Sequence, residues 1–169
     1  MEGKRMVYRD TIKLHSVAGR PTFFKITKEV QEIIDKSGIK NGICVVYSSH
    51  TTCSVITQEF SHDITYAGLE FNQQDFIDGL AKIFPDCKKE GQYMQPGPLL
   101  VKYAASINET PLECLNIDGH LRSALTGRSI TTGIVDGKMD MGRFGQIYFI
   151  DFDQVRERDR VATVQLIGE

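Results

Sequence analysis

Strand-like segments outnumber helical ones in this chain, and the two kinds do not alternate regularly. Short alternating or continuous apolar runs predict strands at residues 6–17, 21–26, 43–47, 54–57, 99–105, 129–135, 145–152 and 161–167. Apolar residues at helical spacing predict helices at residues 27–38, 61–84 and 118–127. Parallel strands need a crossover helix between them, which this order does not supply. It therefore predicts an α+β fold: a large mixed, mainly antiparallel sheet with a few packed helices.

Glycine and hydroxyl residues mark where several of these segments begin and end. Thr27 is suited to cap the first helix, and Gly38 is suited to end it. Asp136-Gly137 predicts a hairpin turn between two strands. Residues 85–98 are rich in Gly, Pro, Lys and Gln, which predicts a loop that is either a functional lid or simply mobile.

The size and charge of the chain exclude some classes of protein. Its 169 residues suit a single domain over residues 1–169 with a real core. The formal net charge of -2 gives no global basic field, which argues against a nucleic-acid-binding protein. No apolar run approaches the length of about 20 residues needed to span a bilayer, so we expect no membrane partner.

The cysteines are Cys44, Cys53, Cys87 and Cys114, and no two form a Cys-x-x-Cys pair. This argues against a zinc ribbon or a thioredoxin-type motif. Residues 1–5 carry no apolar stretch of the signal-peptide kind. We therefore expect reduced thiols and a cytoplasmic location, with Cys44 in the core.

His50 follows the apolar run 43–47 and is flanked by hydroxyl side chains, in Ser48-Ser49-His50-Thr51-Thr52. A strand ending in this way carries an imidazole and four hydroxyls to a sheet margin, where they can meet a metal, a phosphate or a substrate. A neutral imidazole is a common zinc ligand and is suited to proton transfer near neutral pH. The alternative is a structural histidine at a strand end. The hydroxyls favour a site, with Thr51 and Thr52 as candidate substrate-binding residues.

His120 begins a helical segment, in Asp118-Gly119-His120-Leu121-Arg122-Ser123. Backbone N–H groups at a helix start favour anions. Arg122 is suited to grip a phosphate in a bidentate fashion, with Ser123 beside it. His120 is then a second ligand or base, and the alternative is a capping or packing role. Two histidines do not complete a catalytic zinc site, which usually has three protein ligands.

Glu59 and His62 lie downstream of His50. The Glu59 carboxylate is a candidate base, metal ligand or orienter of an imidazole, and His62 is a candidate metal ligand. The alternative is an ordinary helix N-terminus, where acidic residues are favourable.

The glycine-bearing stretch 137–146 matches neither a Walker loop nor a Rossmann fingerprint. Its glycines suit a hairpin or a bulge. The alternative is close backbone approach to a ligand, for which Arg143 is the candidate contact. Residues 156–160 alternate in charge sign, which is more typical of a solvated turn than of a nucleic-acid patch.

Taken in order, these motifs resemble the YjbQ-like family, whose members are sometimes described as secondary thiamine-phosphate synthases. The matching pieces are the Ser-His-Thr-Thr of residues 49–52, Gln58-Glu59, residues 118–129, residues 137–142, and Asp151-Phe152-Asp153 before a basic tail. The resemblance runs nearly the full chain, and the ordered combination is specific.

The resemblance implies a YjbQ-like α+β domain assembled as a homotrimer, with a polar pocket near the family histidines between subunits. It also implies a divalent metal, zinc or magnesium, and a secondary transferase activity that joins a pyrimidine diphosphate to a thiazole phosphate. By position, His50 matches the histidine of the family's His-Thr motif, Glu59 matches its acid, and His120 matches the histidine before the helix. Gly127 and Ser129 match the Gly-x-Ser that follows.

The chain departs from the family pattern at three places. Gln95 stands where members often carry another histidine, and an amide is a poorer zinc ligand than an imidazole. His62 stands at the family's aspartate, and Gly142-Arg143-Phe144-Gly145 replaces Gly-x-Trp-Gln.

Two hypotheses follow. The first is a cytoplasmic trimeric enzyme acting on a small phosphorylated substrate, with Mg²⁺ as a natural helper if diphosphate leaves. In it His50 and His120 bind metal or exchange protons. Glu59 orients an imidazole or serves as base, and Arg122 and Arg143 neutralise phosphate. The second is a non-catalytic small-ligand-binding or scaffold trimer with an eroded site, which the lost family histidine favours. Nucleic-acid binding is the weakest alternative.

Overall fold

Two antiparallel sheets carry most of the chain in the computed structural model, which describes residues 6–169. Residues 1–5, in which the sequence shows no apolar leader, lie outside the described residues. The strands are β1 (Met6–Ser16), β2 (Thr22–Lys25), β3 (Gly42–Tyr47), β4 (Cys53–Glu59), β5 (Ser129–Val135), β6 (Lys138–Asp140), β7 (Gly145–Asp151) and β8 (Arg158–Gly168). The helices are α1 (Thr27–Ser37), α2 (Phe71–Ile83), α3 (Pro98–Ser106) and α4 (Ile117–Thr126), with a 3-10 helix at Pro111–Cys114.

The larger sheet has the strand order β1-β8-β3-β5-β6, and the smaller has the order β2-β7-β4. The strand pairs in both sheets are antiparallel. The α+β fold predicted from the sequence is confirmed, although two antiparallel sheets replace the single mixed one. The turn at Asp136-Gly137 joins β5 to β6, and both residues have positive φ, as a type I′ hairpin requires.

Strand β7 explains why the molecule has two sheets. Its side chains alternate between opposite faces, and both faces are buried. Ile147 and Phe149 pack into the core that the two sheets share, whereas Tyr148 and Ile150 pack with Leu80 of α2. The smaller sheet is therefore a middle layer, between the larger sheet on one side and α2 on the other.

Helix α1 buries the residues that the helical spacing selected, Val30, Ile33 and Ile34. Gly38 ends the helix with φ of 74°, the left-handed conformation predicted for it. The predicted cap at Thr27 is wrong. Its hydroxyl instead accepts a hydrogen bond from the Ile147 backbone N–H at 2.9 Å, which ties the helix to β7.

Two predicted elements differ from the observed ones. The second helix begins at Phe71 rather than near residue 61, because Glu70 caps it in a capping box and also accepts a bond from the Ser61 N–H. The predicted strand at 99–105 is wrong: these residues lie in α3. Proline is favoured in the first turn of a helix, where Pro98 lies, and the apolar residues that follow have no neighbouring strand to pair with.

Helix α4 approaches the smaller sheet closely because residue 119 has no side chain. A Cβ atom on Gly119 would lie 3.0 Å from the backbone oxygen of Phe152. The Ser123 hydroxyl completes the docking by donating to the Cys53 carbonyl at 2.6 Å. In the described part of the chain, no helix is both long and apolar enough to cross a membrane.

We predict that Gly119→Ala destabilises the protein by about 1–2 kcal/mol, because the new methyl group overpacks against a rigid backbone. The matched control is Gly79→Ala in α2, where no atom lies within 4 Å of the added carbon. That variant should gain about 0.5–1 kcal/mol from helix propensity. Urea denaturation of both variants checks the prediction, and equal stabilisation by the two would contradict it.

Candidate functional site

A polar cleft of about 490 Å³ opens where the segment after β3 meets the start of α4 and the start of β8. His50, Thr51 and Thr52 line it from the first segment, and His120 lines it from the helix. Gln95 reaches it from the loop that precedes α3. The two histidines are 70 positions apart in sequence, and the fold brings them into one cavity.

His50 is held by the backbone on both sides. Its own N–H donates to the Ser48 hydroxyl at 3.1 Å, and its Nε2 accepts a hydrogen bond from the Val161 N–H at 3.2 Å. An Nε2 that accepts is unprotonated, so the neutral ring carries its proton on Nδ1. Burial lowers the pKa of His50, and the Arg160 guanidinium lowers it further while Asp151 opposes the effect. The neutral ring is therefore the form present at pH 7.

His120 lies in the first turn of α4 and has a similar environment. Burial is the main cause that lowers its pKa, and Arg160 acts in the same direction. The Asp153 carboxylate and the Thr51 backbone oppose this shift. His120 is therefore also neutral at pH 7, and the cleft holds two uncharged imidazoles.

A buried ion pair forms the floor of the cleft. Arg160 donates from Nε to one oxygen of Asp151 at 2.6 Å, and from Nη2 to the other oxygen at 3.2 Å. The Ser16 hydroxyl, the Thr52 hydroxyl and the Asp153 N–H also donate to this carboxylate. Burial alone would raise the pKa of Asp151, but these hydrogen bonds outweigh it and hold the pKa below its usual range. Asp151 therefore stays ionised as the partner of Arg160.

Two further arginines line the cleft closer to solvent, and both are paired with carboxylates. Arg156 contacts Glu109 at 2.7 Å and Glu113 at 2.8 Å, and Arg158 contacts Glu109 at 3.4 Å. Both carboxylates come from the segment between α3 and the end of the 3-10 helix. The alternating charges of residues 156–160 predicted a solvated turn. Instead, every second residue of this stretch is an arginine that lines the cleft: Arg156, Arg158 and Arg160.

Cys114 also lines the cleft. Burial is the main cause that raises the pKa of its thiol, so the nucleophilic thiolate is disfavoured at neutral pH. Cys44 lies in the core, as predicted. All four cysteines are free and buried.

Arg122, a predicted phosphate ligand, lies outside the cleft. Its side chain is 1% exposed. It donates to the Phe84 carbonyl at 2.7 Å and to Asp86 at 2.8 Å, and its Nη1 lies 3.5 Å from Asp118. These contacts tie α4 to the end of α2 and hold the guanidinium away from the cleft, although its buried Nη1 has no hydrogen-bond partner among the described residues.

The structure also places Ser123 and Arg143 outside this cleft, although Ser123 borders a neighbouring depression with Thr51 and His120. Ser123 is buried under α4, where its hydroxyl binds β4. Arg143 lies in the turn between β6 and β7, with its guanidinium carbon 5.2 Å from the Phe144 ring centre. Neither side chain lines the cleft, so neither is available there to a bound molecule.

Glu59 and His62 lie at the far end of β4. That strand starts at the cleft with Cys53, and six extended residues carry Glu59 about 20 Å away. Glu59 borders a separate depression with Gln58 and Asp140. His62 packs edge-on against Phe60, with ring centres 4.7 Å apart. Within this chain, neither residue reaches the imidazoles.

Sequence reasoning missed the residues that join the two sheets at the cleft. Asp151 lies in one of the pieces that resemble the family and Arg160 lies in the basic tail after it, but neither piece suggests that the two side chains form a buried pair. The available signal was the Asp151-Phe152-Asp153 triplet, in which acidic residues directly follow the apolar run of residues 147–150.

The donor set in the cleft does not fit a resident zinc ion. Among residues 6–169, no group of three His, Cys, Asp or Glu side chains is placed to hold a metal. The Nε2 of His50 is already engaged by the backbone, and Gln95 offers an amide, which is a poorer zinc ligand than an imidazole. The side chains that line the cleft are suited instead to anion binding and proton exchange.

Comparison with known proteins gives one consistent family. The sequence model described as UPF0047 protein YjbQ-like matches residues 10–169. A UPF0047 protein of Methanocaldococcus jannaschii is 28% identical over 165 residues, covering 98% of this chain and 96% of that protein. A UPF0047 protein of Methanothermobacter thermautotrophicus is 28% identical over 152 residues, covering 90% of this chain and 87% of that protein.

Solved structures agree on the fold. A YbjQ-like protein of unknown function from Sulfolobus solfataricus superposes with a TM-score of 0.70 at 23% identity, covering 98% of this chain and 100% of that one. An uncharacterised conserved protein from Clostridium acetobutylicum gives a TM-score of 0.65 at 25% identity, covering 92% of this chain and 98% of that one. These likenesses support the architecture and name no activity.

We predict that Asp151→Asn destabilises the protein by about 3–5 kcal/mol, because it leaves the buried Arg160 charge without its main partner. The control is Asp159→Asn, whose ion pair with His15 is exposed to solvent and whose loss should cost less than about 1 kcal/mol. Chemical denaturation at pH 7 measures both. Equal losses in the two variants would contradict the proposed role of the pair.

The pair between Asp151 and Arg160 also predicts that the free energy of unfolding depends on pH. Because the pKa of Asp151 is lower in the folded than in the unfolded protein, its stabilising effect is full above about pH 4 and is lost as the pH falls further. The difference in unfolding free energy between wild type and Asp151→Asn should therefore shrink below that pH. A constant difference down to about pH 2 would argue against an ionised Asp151.

Proposed function

The chain belongs to the YjbQ-like UPF0047 family, and from this membership and the geometry of the cleft we propose that it acts on a small phosphorylated molecule. The supporting observation is that His50 and His120 line one polar cavity together with three arginines. Arginines are suited to neutralise phosphoryl oxygens, and neutral imidazoles are suited to exchange protons near pH 7.

The two imidazoles are suited to different roles. His50 uses Nε2 as an acceptor within the protein and retains Nδ1–H as a donor. Such a ring can donate a hydrogen bond to an oxygen of the bound molecule. For His120, the Asp153 carboxylate and the Thr51 backbone favour the protonated ring against the effect of burial, which makes it the better candidate to take up a proton. Thr51 and Thr52 line the same cavity, and the buried Thr52 hydroxyl is already bonded to Asp151 and Arg160.

The reaction proposed is the secondary thiamine-phosphate synthase type, in which a pyrimidine diphosphate and a thiazole phosphate are joined and diphosphate leaves. Both substrates carry phosphoryl groups, and the leaving group gains negative charge as its bond breaks. Fixed positive charge beside the leaving oxygens lowers the barrier to such a step. The cleft arginines are the groups in this protein suited to supply that charge.

A second candidate function is a non-catalytic ligand-binding or scaffold trimer. One sequence feature supports it: the resemblance implies a histidine at the position where this chain has Gln95. The divalent metal, the cytoplasmic location and the homotrimer stay predictions. If a metal binds, His50 and His120 are its candidate ligands within the cleft, and His62 is the candidate at the far end of β4.

We predict that His50→Ala and His120→Ala each lower turnover of the two thiamine precursors by about 100-fold or more, as expected for loss of a proton-exchanging group. His15→Ala is the matched control, because His15 lies on β1 and pairs only with exposed carboxylates. The measurement is product formation by the purified protein with both precursors.

Wild-type turnover in both cleft variants would overturn the assigned roles. If the wild type binds the phosphorylated precursors in a thermal-shift assay but forms no product, the second candidate function is favoured. In that case the histidine variants should still lose the ligand-induced stabilisation.

The outer face of the larger sheet is where we propose that protomers meet in the homotrimer. Val7, Ile43 and Ile167 form a row across β1, β3 and β8, because Ile167 is in register with both of the others. Their exposed fractions are 70%, 43% and 40%, which is unusual for aliphatic side chains in register on a sheet. Burying such a row between subunits stabilises an assembly.

We predict that Ile43→Lys converts the trimer to monomer, because the charged group cannot be buried without a partner. Light scattering coupled to size-exclusion chromatography measures the mass. The control is Ile64→Lys, at an exposed residue outside this row. A wild-type protein that is monomeric would contradict the proposed assembly.

A further inference from the structure

We propose that Arg156 and Arg158 form the phosphoryl-binding subsite of the cleft, and that Glu109 and Glu113 compete with the ligand for these two arginines. The inference rests on the proposed function, because it specifies how the same cleft takes its phosphorylated ligand. It assigns a ligand class, a phosphoryl or diphosphoryl group, to two residues that neither motif nor spacing selected. It also assigns a gating role to the segment from α3 to the 3-10 helix.

The three cleft arginines differ in how strongly their carboxylate partners hold them. Arg160 has a side chain 9% exposed and is bonded to Asp151 through both Nε and Nη2. If Arg160 turned away, the fully buried Asp151 carboxylate would be left unpaired, which would destabilise the protein. Arg160 is therefore a fixed part of the protein and not a group that can turn toward a ligand.

Arg156 and Arg158 are held by weaker interactions. Their side chains are 19% and 34% exposed, and those of Glu109 and Glu113 are 26% and 27% exposed. Ion pairs that water reaches contribute little to stability and are screened by salt. An incoming anion can therefore replace either carboxylate without an energetic penalty comparable to that of breaking the Arg160 pair.

Both arginines also keep a donor unused. Among the described residues, the Nε–H groups of Arg156 and Arg158 are buried and have no acceptor. A carboxylate offers two oxygens, and Glu113 shares its own with the Thr110 N–H at 2.6 Å. A phosphoryl group offers three terminal oxygens and up to two negative charges. It can therefore accept from more of these donors than the glutamates do, which favours exchange toward the phosphorylated ligand.

The segment that carries the two carboxylates is lightly attached. Helix α3 packs chiefly against the 3-10 helix that follows it. Ala104 is its one buried residue, while Leu99 and Tyr103 are 82% and 62% exposed. Releasing Glu109 and Glu113 therefore disturbs little of the core. Ligand binding should loosen residues 98–114 as the arginines change partners.

The test compares a double variant with a matched control by isothermal titration with inorganic pyrophosphate. Glu109→Gln with Glu113→Gln removes both competing charges, and glutamine at residue 113 preserves the capping box. Glu157→Gln with Asp159→Asn removes two charges from the same strand start, but those side chains contact His15 instead of the arginines. The control therefore measures the general electrostatic effect alone.

We expect the double variant to bind pyrophosphate roughly tenfold more tightly than the wild type, the gain from removing two competing ion pairs. The control should change affinity by less than about twofold, since exposed charges are screened. Arg156→Gln with Arg158→Gln should lose binding while thermal melting shows that it is folded. Equal affinity in the wild type and the double variant would overturn the gate and leave the proposed function standing.

Hydrogen exchange supplies an independent readout. In the wild type, pyrophosphate should increase amide exchange in residues 98–114, and the double variant should show that faster exchange without ligand. Unchanged or slower exchange in this segment on binding would also overturn the gate. If neither the wild type nor the double variant binds pyrophosphate or inorganic phosphate, the gate and the proposed phosphorylated ligand both fail.

Discussion

The buried pair between Asp151 and Arg160 is the interaction on which the cleft depends. Asp151 is the last residue of β7 in the smaller sheet, and Arg160 lies near the start of β8 in the larger one. Because β7 and β8 belong to different sheets, their bidentate contact joins the two layers at one end. Ser16 and Thr52 add hydrogen bonds from β1 and from the segment before β4. Four separate parts of the chain are therefore fixed around one carboxylate.

This pair also sets the charge that the histidines experience. Arg160 lowers the pKa of both His50 and His120, in addition to the larger effect of burial. Val161, the next residue along β8, holds the ring of His50 through its backbone N–H. The same strand start therefore lines the cleft, orients one imidazole and adds to the larger effect of burial on the pKa of both imidazoles. Proton exchange near pH 7 requires rings of this kind.

Electrostatic balance connects the site to its ligand. The cleft contains three arginines, but carboxylates offset them, so the cavity has little excess positive charge. A ligand with phosphoryl groups must therefore take arginines from existing partners. Arg160 cannot be released without exposing a buried charge, whereas Arg156 and Arg158 can exchange their glutamates. In the proposed binding mode, the contrast between buried and solvated ion pairs decides which arginines are free to bind a phosphoryl group.

The sequence by itself determined most of the local elements and singled out two residues that meet in the cleft. Apolar periodicity predicted the α+β class, helix α1 and most of the strands, because burial of one face leaves a period in the chain. It failed for residues 99–105, since short apolar runs suit a helix or a strand equally well. His50 and His120 stood out because each lies among hydroxyl or charged residues at the edge of a predicted element. Only the tertiary structure decided that Arg122 is buried under the end of α2, that β4 carries Glu59 away, and that Asp151 meets Arg160. Such contacts depend on how the sheets and helices pack together, and sequence spacing does not encode those distances.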